Sequence, residues 1–201
     1  RYTWFKLKKT ASIIQETKDE SSALRFIKRE YKKIQKPSNK VLFDMANILR
    51  NFQDYEGAID IYSKLIRYSN YSAEEYADLL YKRGTSYERK KDFLKADEDL
   101  LESLSIVSNE PYVLNYLGYS WLERSYKIPD AMGMLKKAYS LRENDPYITD
   151  SIGWAYYLIG DFMNAKKYLE KAVKLMPYDP IVNDHYGDVL WKLNKKVQAR
   201  Y

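Results

Sequence analysis

Histidine and cysteine are the residues that most often build metal sites and nucleophilic centres, and they are nearly absent from this chain. Its 201 residues include one histidine, His185, and no cysteine. A zinc site needs several such ligands, and a nucleophile–histidine pair needs a second reactive group beside the ring. Neighbouring carboxylates such as Glu74 and Glu75 lie in charged stretches that are typical of solvated helix faces. We therefore expect no catalytic residue, no metal and no cofactor, and we interpret His185 as a groove or surface residue.

The composition favours a folded, helical protein. Hydrophobic residues make up 45% of the chain and charged residues 31%, while seven Gly and six Pro are few for a turn-rich β protein. No apolar run approaches the roughly 18 to 20 residues needed to span a bilayer. The lack of cysteine fits both cytoplasm and periplasm, so it does not choose a compartment. Because the sequence opens with Arg1 and not Met, we expect it to be a segment of a longer protein.

Small residues recur at a fixed period along the chain. Gly84, Gly118, Gly153 and Gly187 are separated by 34, 35 and 34 residues. An alanine follows each glycine after twelve residues, or after thirteen in the case of Gly118: Ala96, Ala131, Ala165 and Ala199. A period of this length is the signature of stacked structural repeats. Two small residues per repeat predict a pair of helices that approach closely at those points.

The pattern resembles the tetratricopeptide repeat (TPR), a helix-turn-helix of 34 residues. The repeat that begins at Pro146 carries the residue types of the family at six positions: Gly153, Tyr156, Ala165, Leu169, Ala172 and Pro177. Aspartates placed before an aromatic residue are predicted N-caps of the second helices: Asp54, Asp92 and Asp161. The resemblance implies an all-α fold, a right-handed superhelical solenoid of antiparallel helix pairs. Its single domain at 1–201 would hold repeats at about 4–38, 39–76, 77–110, 111–145 and 146–179, and a partial repeat at 180–201.

In such a solenoid, the second, fifth, ninth and twelfth residues of each first helix line the concave surface. Aromatic and polar residues at these positions suit a groove for a partner protein or peptide. The alternative is that the aromatic rings pack on one another, since tyrosine accounts for 21 of the 201 residues. We place Tyr119, Trp154 and Tyr157 at the centre. The predicted groove residues are Tyr112, Asn115, Tyr119, Leu122, Tyr147, Asp150, Trp154, Tyr157, Ile181, Asp184, Asp188 and Trp191.

Positive charge is concentrated near the amino end, where residues 1–40 hold 12 Lys/Arg against 4 Asp/Glu. A basic helix face opposite an apolar stripe could bind RNA or anionic lipid, although the same stripe would serve core packing beneath a solvated surface. We keep this as the second hypothesis for function, and nucleic acid is not the partner we favour. The predicted basic patch consists of Arg25, Lys28, Arg29, Lys32, Lys33 and Lys36.

The region from Pro111 to Arg200 is similar to the carboxyl-terminal repeats of TPR proteins from bacterial envelopes, especially those of alphaproteobacteria. Some of these proteins are outer-membrane lipoproteins, and certain ones are adaptors for a carboxyl-terminal processing protease. The resemblance implies a non-catalytic scaffold in or near the periplasm, with the cytoplasm as the alternative. Ser125 departs from the pattern, because a turn glycine is expected there. The half repeat at the carboxyl end further predicts either a continuing chain or self-association through that end.

Overall fold

The computed structural model of the chain describes residues 3–68 and 70–194. These residues form eleven α-helices and no strand. They fall into two compact units, an N-terminal unit (Arg1–Ile106) and a C-terminal unit (Val107–Tyr201). Residues 195–201 of the predicted partial repeat lie outside the described residues. The all-α prediction is therefore confirmed over the described ranges.

The N-terminal unit is a series of antiparallel helix pairs, in which α1 packs on α2, α3 on α4, and α5 on α6. Helix α4 also packs on α5. Helix α5 begins four residues before the third repeat predicted at 77–110, and Ser72 and Glu75 form a capping box at its start. The helices are α1 (Trp4–Thr17), α2 (Glu20–Lys32), α3 (Asn39–Asn51), α4 (Tyr55–Tyr68), α5 (Ala73–Arg89) and α6 (Phe93–Ile106).

The C-terminal unit contains two helix pairs and one further first helix. Helix α9 contacts all four others, so the first helices α7, α9 and α11 lie side by side, with the second helices α8 and α10 packed against them. This is the arrangement that the repeat pattern predicts. The helices are α7 (Pro111–Glu123), α8 (Ile128–Leu141), α9 (Pro146–Leu158), α10 (Phe162–Leu175) and α11 (Pro180–Lys192).

The periodic glycines lie where two helices of a pair touch. A Cβ atom added to Gly118 would lie 2.9 Å from the backbone oxygen of Ala131, and one added to Gly153 would lie 2.7 Å from Cγ of Leu169. Real Cβ atoms do not approach other heavy atoms this closely, so the helices need glycine to pack at this distance. The alanines of the same contacts are fully buried. The packing role predicted for the small residues is confirmed.

The ends of the helices follow the capping chemistry of the sequence. Asp161 caps α10 by accepting a hydrogen bond from the amide of Asn164 at 3.1 Å, and Asp145 caps α9 by accepting one from the amide of Ile148 at 3.0 Å. Ser125, where the pattern calls for glycine, has a φ of 53°. Lys91 occupies the corresponding turn of the preceding repeat with a φ of 62°. The turn thus requires a left-handed residue whether or not the sequence supplies glycine.

A buried ion pair joins α5 to α6 in the N-terminal unit. Both oxygens of Asp99 accept hydrogen bonds from the guanidinium of Arg83, each at 2.7 Å. Asp99 is only 5% exposed. The hydrogen bonds to the carboxylate raise the pKa of Arg83, whereas burial, partly offset by Arg83, raises the pKa of Asp99. Arg83 also donates to the hydroxyl of Ser63 on α4 at 3.2 Å, which ties three helices together.

Candidate functional site

The candidate site is the first-helix face of the C-terminal unit. We define this face as the second, fifth, ninth and twelfth residues of α7, α9 and α11. At its centre three rings lie in parallel. The indole of Trp154 stacks on Tyr157, with ring centroids 4.5 Å apart, and on the imidazole of His185, with centroids 4.1 Å apart. Because His185 belongs to α11 and the other two rings belong to α9, the stack joins adjacent repeats.

A buried carboxylate holds the histidine in this stack. Nδ1 of His185 lies 3.0 Å from each carboxylate oxygen of Asp150, which is one turn before Trp154 on α9. Asp150 is 9% exposed, so its charge needs a partner inside the protein. Since the carboxylate can only accept, Nδ1 carries the hydrogen in this contact. The pair therefore fixes both the orientation and the tautomer of the imidazole.

Tyr119 and the stacked Tyr157 lie on the same face beside carboxylates. Burial, followed by the nearby charges of Glu123 and Asp150, raises the pKa of Tyr119 on α7. Burial and the charge of Asp188 on α11 likewise raise the pKa of Tyr157. Both phenols stay protonated at neutral pH and remain hydrogen-bond donors. These interactions place carboxylates from α7, α9 and α11 around the aromatic centre.

The face also has an exposed apolar rim, to which each of the three first helices contributes. Tyr147 is 65% exposed and Ile181 is 62% exposed, and both occupy the second position of their helices. Tyr112 holds that position on α7 and is exposed as well, although its hydroxyl donates to Asp145 at 2.9 Å. Trp191 extends the exposed surface near the end of α11. Large apolar side chains at a repeated exposed position are typical of an interaction surface.

The structure sorts the predicted groove residues into a buried floor and an exposed rim. Leu122 and Asp150 are buried, and Asn115 keeps its side-chain oxygen buried without a hydrogen-bond partner among the described residues. Asp184 and Asp188 are exposed. The alternative of rings packing on one another describes Trp154 and Tyr157, whereas Tyr112 and Tyr147 remain exposed to solvent.

The role of His185 was not apparent from the sequence. It follows the predicted groove residue Asp184 by one position, so the helical-face argument leaves it beside the groove. Its stacking on Trp154 depends on how closely α11 approaches α9, which the residue types do not reveal. The available signal was its spacing of 35 residues from Asp150, about one repeat period.

Three of the six residues of the predicted basic patch form ion pairs. Lys28 pairs with Asp54 of α4, and Arg29 and Lys33 both pair with Glu30. These contacts are partly exposed and add little stability, but they neutralise part of the local charge. Arg25 donates to the hydroxyls of Ser21 and Ser22. Lys32 and Lys36 are exposed.

The described residues offer little material for catalysis or metal binding. Within 3–68 and 70–194, no three His, Asp or Glu side chains converge in a way that could hold a metal ion. The His185–Asp150 pair resembles part of a catalytic triad, yet in the described part of the unit its histidine stacks on an indole and meets no nucleophile. The helices in these ranges are also all too short or too polar to cross a membrane.

The fold and this face define a helical-repeat protein in which first helices lie side by side and leave one face uncovered by second helices. Comparison with known proteins names the repeat. Models described as tetratricopeptide repeat match residues 40–69 and 151–179. The chain is 32% identical over 114 residues to "TPR repeat-containing protein PA4667" of Pseudomonas aeruginosa, a match that covers 57% of this chain and 19% of that protein. The chain therefore contains tetratricopeptide repeats, and it spans about a fifth of the length of this relative.

Solved structures of similar fold agree with this assignment. PilF of Pseudomonas aeruginosa superposes with a TM-score of 0.69 at 21% identity, covering 81% of this chain and 72% of PilF. MamA of Desulfovibrio magneticus RS-1 superposes with a TM-score of 0.67 at 16% identity, covering 83% of this chain and 92% of that structure. At these identities the likeness concerns the fold alone. TPR solenoids serve in general as scaffolds whose extended surfaces contact other proteins.

Proposed function

We propose that the C-terminal unit is a non-catalytic scaffold that binds a partner protein through its first-helix face. The observation that carries the proposal is the combination of an ordered floor and an exposed rim. The floor is fixed by the Asp150–His185 pair and the ring stack, so it needs little ordering when a partner arrives. The rim offers large apolar side chains from three successive first helices.

The test compares variants of the rim that leave the floor untouched. We suggest Tyr147→Ser combined with Ile181→Ser, because both side chains are highly exposed and their loss should not unfold the protein. Tyr178→Ser is the matched control, since Tyr178 is 96% exposed but lies in the loop between α10 and α11. Far-UV circular dichroism would verify that the three proteins are equally helical.

Each protein would be used to capture partners from an extract of the source organism, with quantitative mass spectrometry as the readout. Interface anchors of this type each contribute about 2 kcal/mol, so losing two should reduce capture of a specific partner by at least about tenfold. The Tyr178→Ser control should capture the partner normally. An identical set of captured proteins for all variants would refute the proposal.

A finer proposal concerns location and pathway. We propose that the parent protein acts as an adaptor in a bacterial envelope, as the resemblance of the region from Pro111 to Arg200 implies. The match to a Pseudomonas protein supports a bacterial setting. Membrane association would run through segments outside this sequence or through the basic residues near the amino end. Fractionation of cells that express the tagged parent protein tests the location, and recovery in the cytoplasm alone would contradict it.

Binding of RNA or anionic lipid through the basic patch has less support. Three of its six residues, Lys28, Arg29 and Lys33, already pair with carboxylates. Binding driven by counterion release would weaken steeply between about 50 and 200 mM salt, whereas a contact based on apolar anchors would change little. Self-association through the half repeat remains a further proposal that rests on residues outside the described ranges.

A further inference from the structure

Charge is segregated between the two kinds of helix in the C-terminal unit. Helices α7 and α9 contain no lysine or arginine, and α11 contains only Lys192 at its end. The second helices α8 and α10 together contain six lysines. Residues 107–201 as a whole hold 13 Lys/Arg against 11 Asp/Glu, so the unit is not acidic overall. The first-helix face is therefore negatively charged because nearly all lysines and arginines of the unit lie outside the first helices.

Lysines of the second helices already pack on aromatic rings of their own unit. Lys171 lies over Tyr139 with Nζ 5.1 Å from the ring centroid, and Lys136 lies over Tyr156 at 5.8 Å. On the first-helix face the situation differs. No described lysine or arginine lies over the ring of Tyr147 or Tyr157. The exposed ring of Tyr147 can accept a cation from outside the unit, whereas the ring of Tyr157 already has one face stacked on Trp154.

The two carboxylates that α11 places on this face also lack a cationic partner among the described residues. Asp184 and Asp188 are exposed, lie one helical turn apart, and form no ion pair with any described residue. Asp188 is close enough to Tyr157 for its charge to act on the phenol. A cationic side chain that entered here could meet a carboxylate and an aromatic ring together. Within residues 3–68 and 70–194, neither contact would require breaking an ion pair.

Resting on the function proposed above, we propose that the partner segment bound by this face carries an arginine or lysine that binds at Asp184, Asp188 and Tyr157. The planar guanidinium of arginine suits the site best, because it can pair with a carboxylate and stack on a ring. The rest of the segment packs on the apolar rim. Charge complementarity thus selects a basic segment of a protein over an acidic one.

The spacing of the rim sets the length of the segment. Adjacent packed helices lie about 8 to 10 Å apart, so Tyr112 and Ile181, on helices two steps apart, are separated by roughly 20 Å. An extended chain rises about 3.3 Å per residue and covers this span with about six residues. The segment should therefore carry apolar side chains about three residues apart, with the basic residue at a fixed distance from them.

The test uses a displayed library of random twelve-residue peptides, selected on the full chain. Four proteins are compared: the native chain, Tyr147→Ser, a charge-reversal variant with Asp184→Lys and Asp188→Lys, and a control with Asp130→Lys and Glu143→Lys. The control reverses two exposed carboxylates of the same unit outside the first-helix face. Synthetic versions of the selected peptides are then measured by fluorescence anisotropy.

We expect peptides that bind the native chain to share an arginine or lysine at one position. Charge reversal should weaken them by about ten- to a hundredfold, and selection on that variant should enrich Asp or Glu instead. The control should stay within about twofold of the native chain, as expected for charges remote from the site.

The outcomes separate this inference from the function it rests on. Peptides that need Tyr147 but share no basic residue, or that tolerate charge reversal, overturn the inference and leave the proposed function standing. If no peptide is recovered, or if the recovered peptides bind Tyr147→Ser as well as the native chain, the proposed function falls and the inference falls with it.

Discussion

The close contact at Gly153 gives the sharpest test of the packing argument. We consider Gly153→Ala in α9 and, as a matched control, Gly133→Ala in α8. A Cβ atom at position 153 would lie 2.7 Å from Cγ and 3.0 Å from the backbone nitrogen of Leu169, which is fully buried. A Cβ atom at position 133 would meet nothing within 4 Å. Both substitutions replace a helical glycine, so they differ mainly in this contact.

The expected magnitudes follow from two terms. Replacing glycine by alanine within a helix stabilises it by about 0.5 to 1 kcal/mol. Overpacking a tight core costs about 1 to 3 kcal/mol, because neither the backbone nor Cγ of Leu169 can move without shifting α10. We therefore expect Gly133→Ala to stabilise the protein and Gly153→Ala to be less stable than Gly133→Ala by about 1 to 3 kcal/mol.

Urea unfolding followed by circular dichroism measures both free energies of unfolding under the same conditions. In thermal unfolding the difference corresponds to roughly 2 to 4 °C per kcal/mol for a chain of this length. If Gly153→Ala stabilised the protein as much as Gly133→Ala, the glycine period would not reflect close helix packing. The physical reason given for the repeat would then be refuted.

Two further predictions concern buried polar groups. Arg83→Met leaves the Asp99 carboxylate buried without its partner, so it should lower the free energy of unfolding by about 3 to 5 kcal/mol in a urea titration. The control Lys82→Met removes an ion pair to the exposed Asp78 and should lower it by under about 1 kcal/mol. Equal losses would contradict the assigned burial. Burial also raises the pKa of Tyr62, Tyr119 and Tyr168 in the folded protein above the unfolded value of about 10. The neutral phenols therefore contribute fully to the stability of the folded protein below about pH 10, and this contribution is lost as the pH rises through their folded pKa values. We expect the urea concentration at the unfolding midpoint to fall above about pH 10, with tyrosinate absorbance appearing on unfolding. If all tyrosines of the folded protein ionised near pH 10, the raised pKa values would be contradicted.

The fold was predictable because its tightest constraints fall on residue types that stand out in a sequence. Gly118 and Gly153 mark close helix contacts, and Asp161 marks the start of a second helix, so spacing alone revealed the repeat. Ser125 shows the limit of this approach. Its turn needs a left-handed backbone, which serine adopts there, so the residue type alone does not reveal the conformation that the repeat register predicts.

The candidate site was predictable only in part, for a similar reason. Helical periodicity placed Trp154 and Tyr157 on one face, because that depends on a single helix. Whether a ring on that face is open or covered depends on the neighbouring helix. His185 stacks on Trp154 because α11 approaches α9 closely, and this distance is a property of the packed repeats.

The buried floor and the exposed rim of the first-helix face contribute differently to binding and to stability. Asp150 is a buried carboxylate paired with His185, so replacing it alone would leave the imidazole without its partner and lower the stability. The pair also holds the imidazole flat against Trp154, which in turn stacks on Tyr157. Exposed side chains such as Tyr147 carry no comparable constraint. Changes to the floor should therefore alter stability and binding together, whereas changes to the rim should alter binding alone.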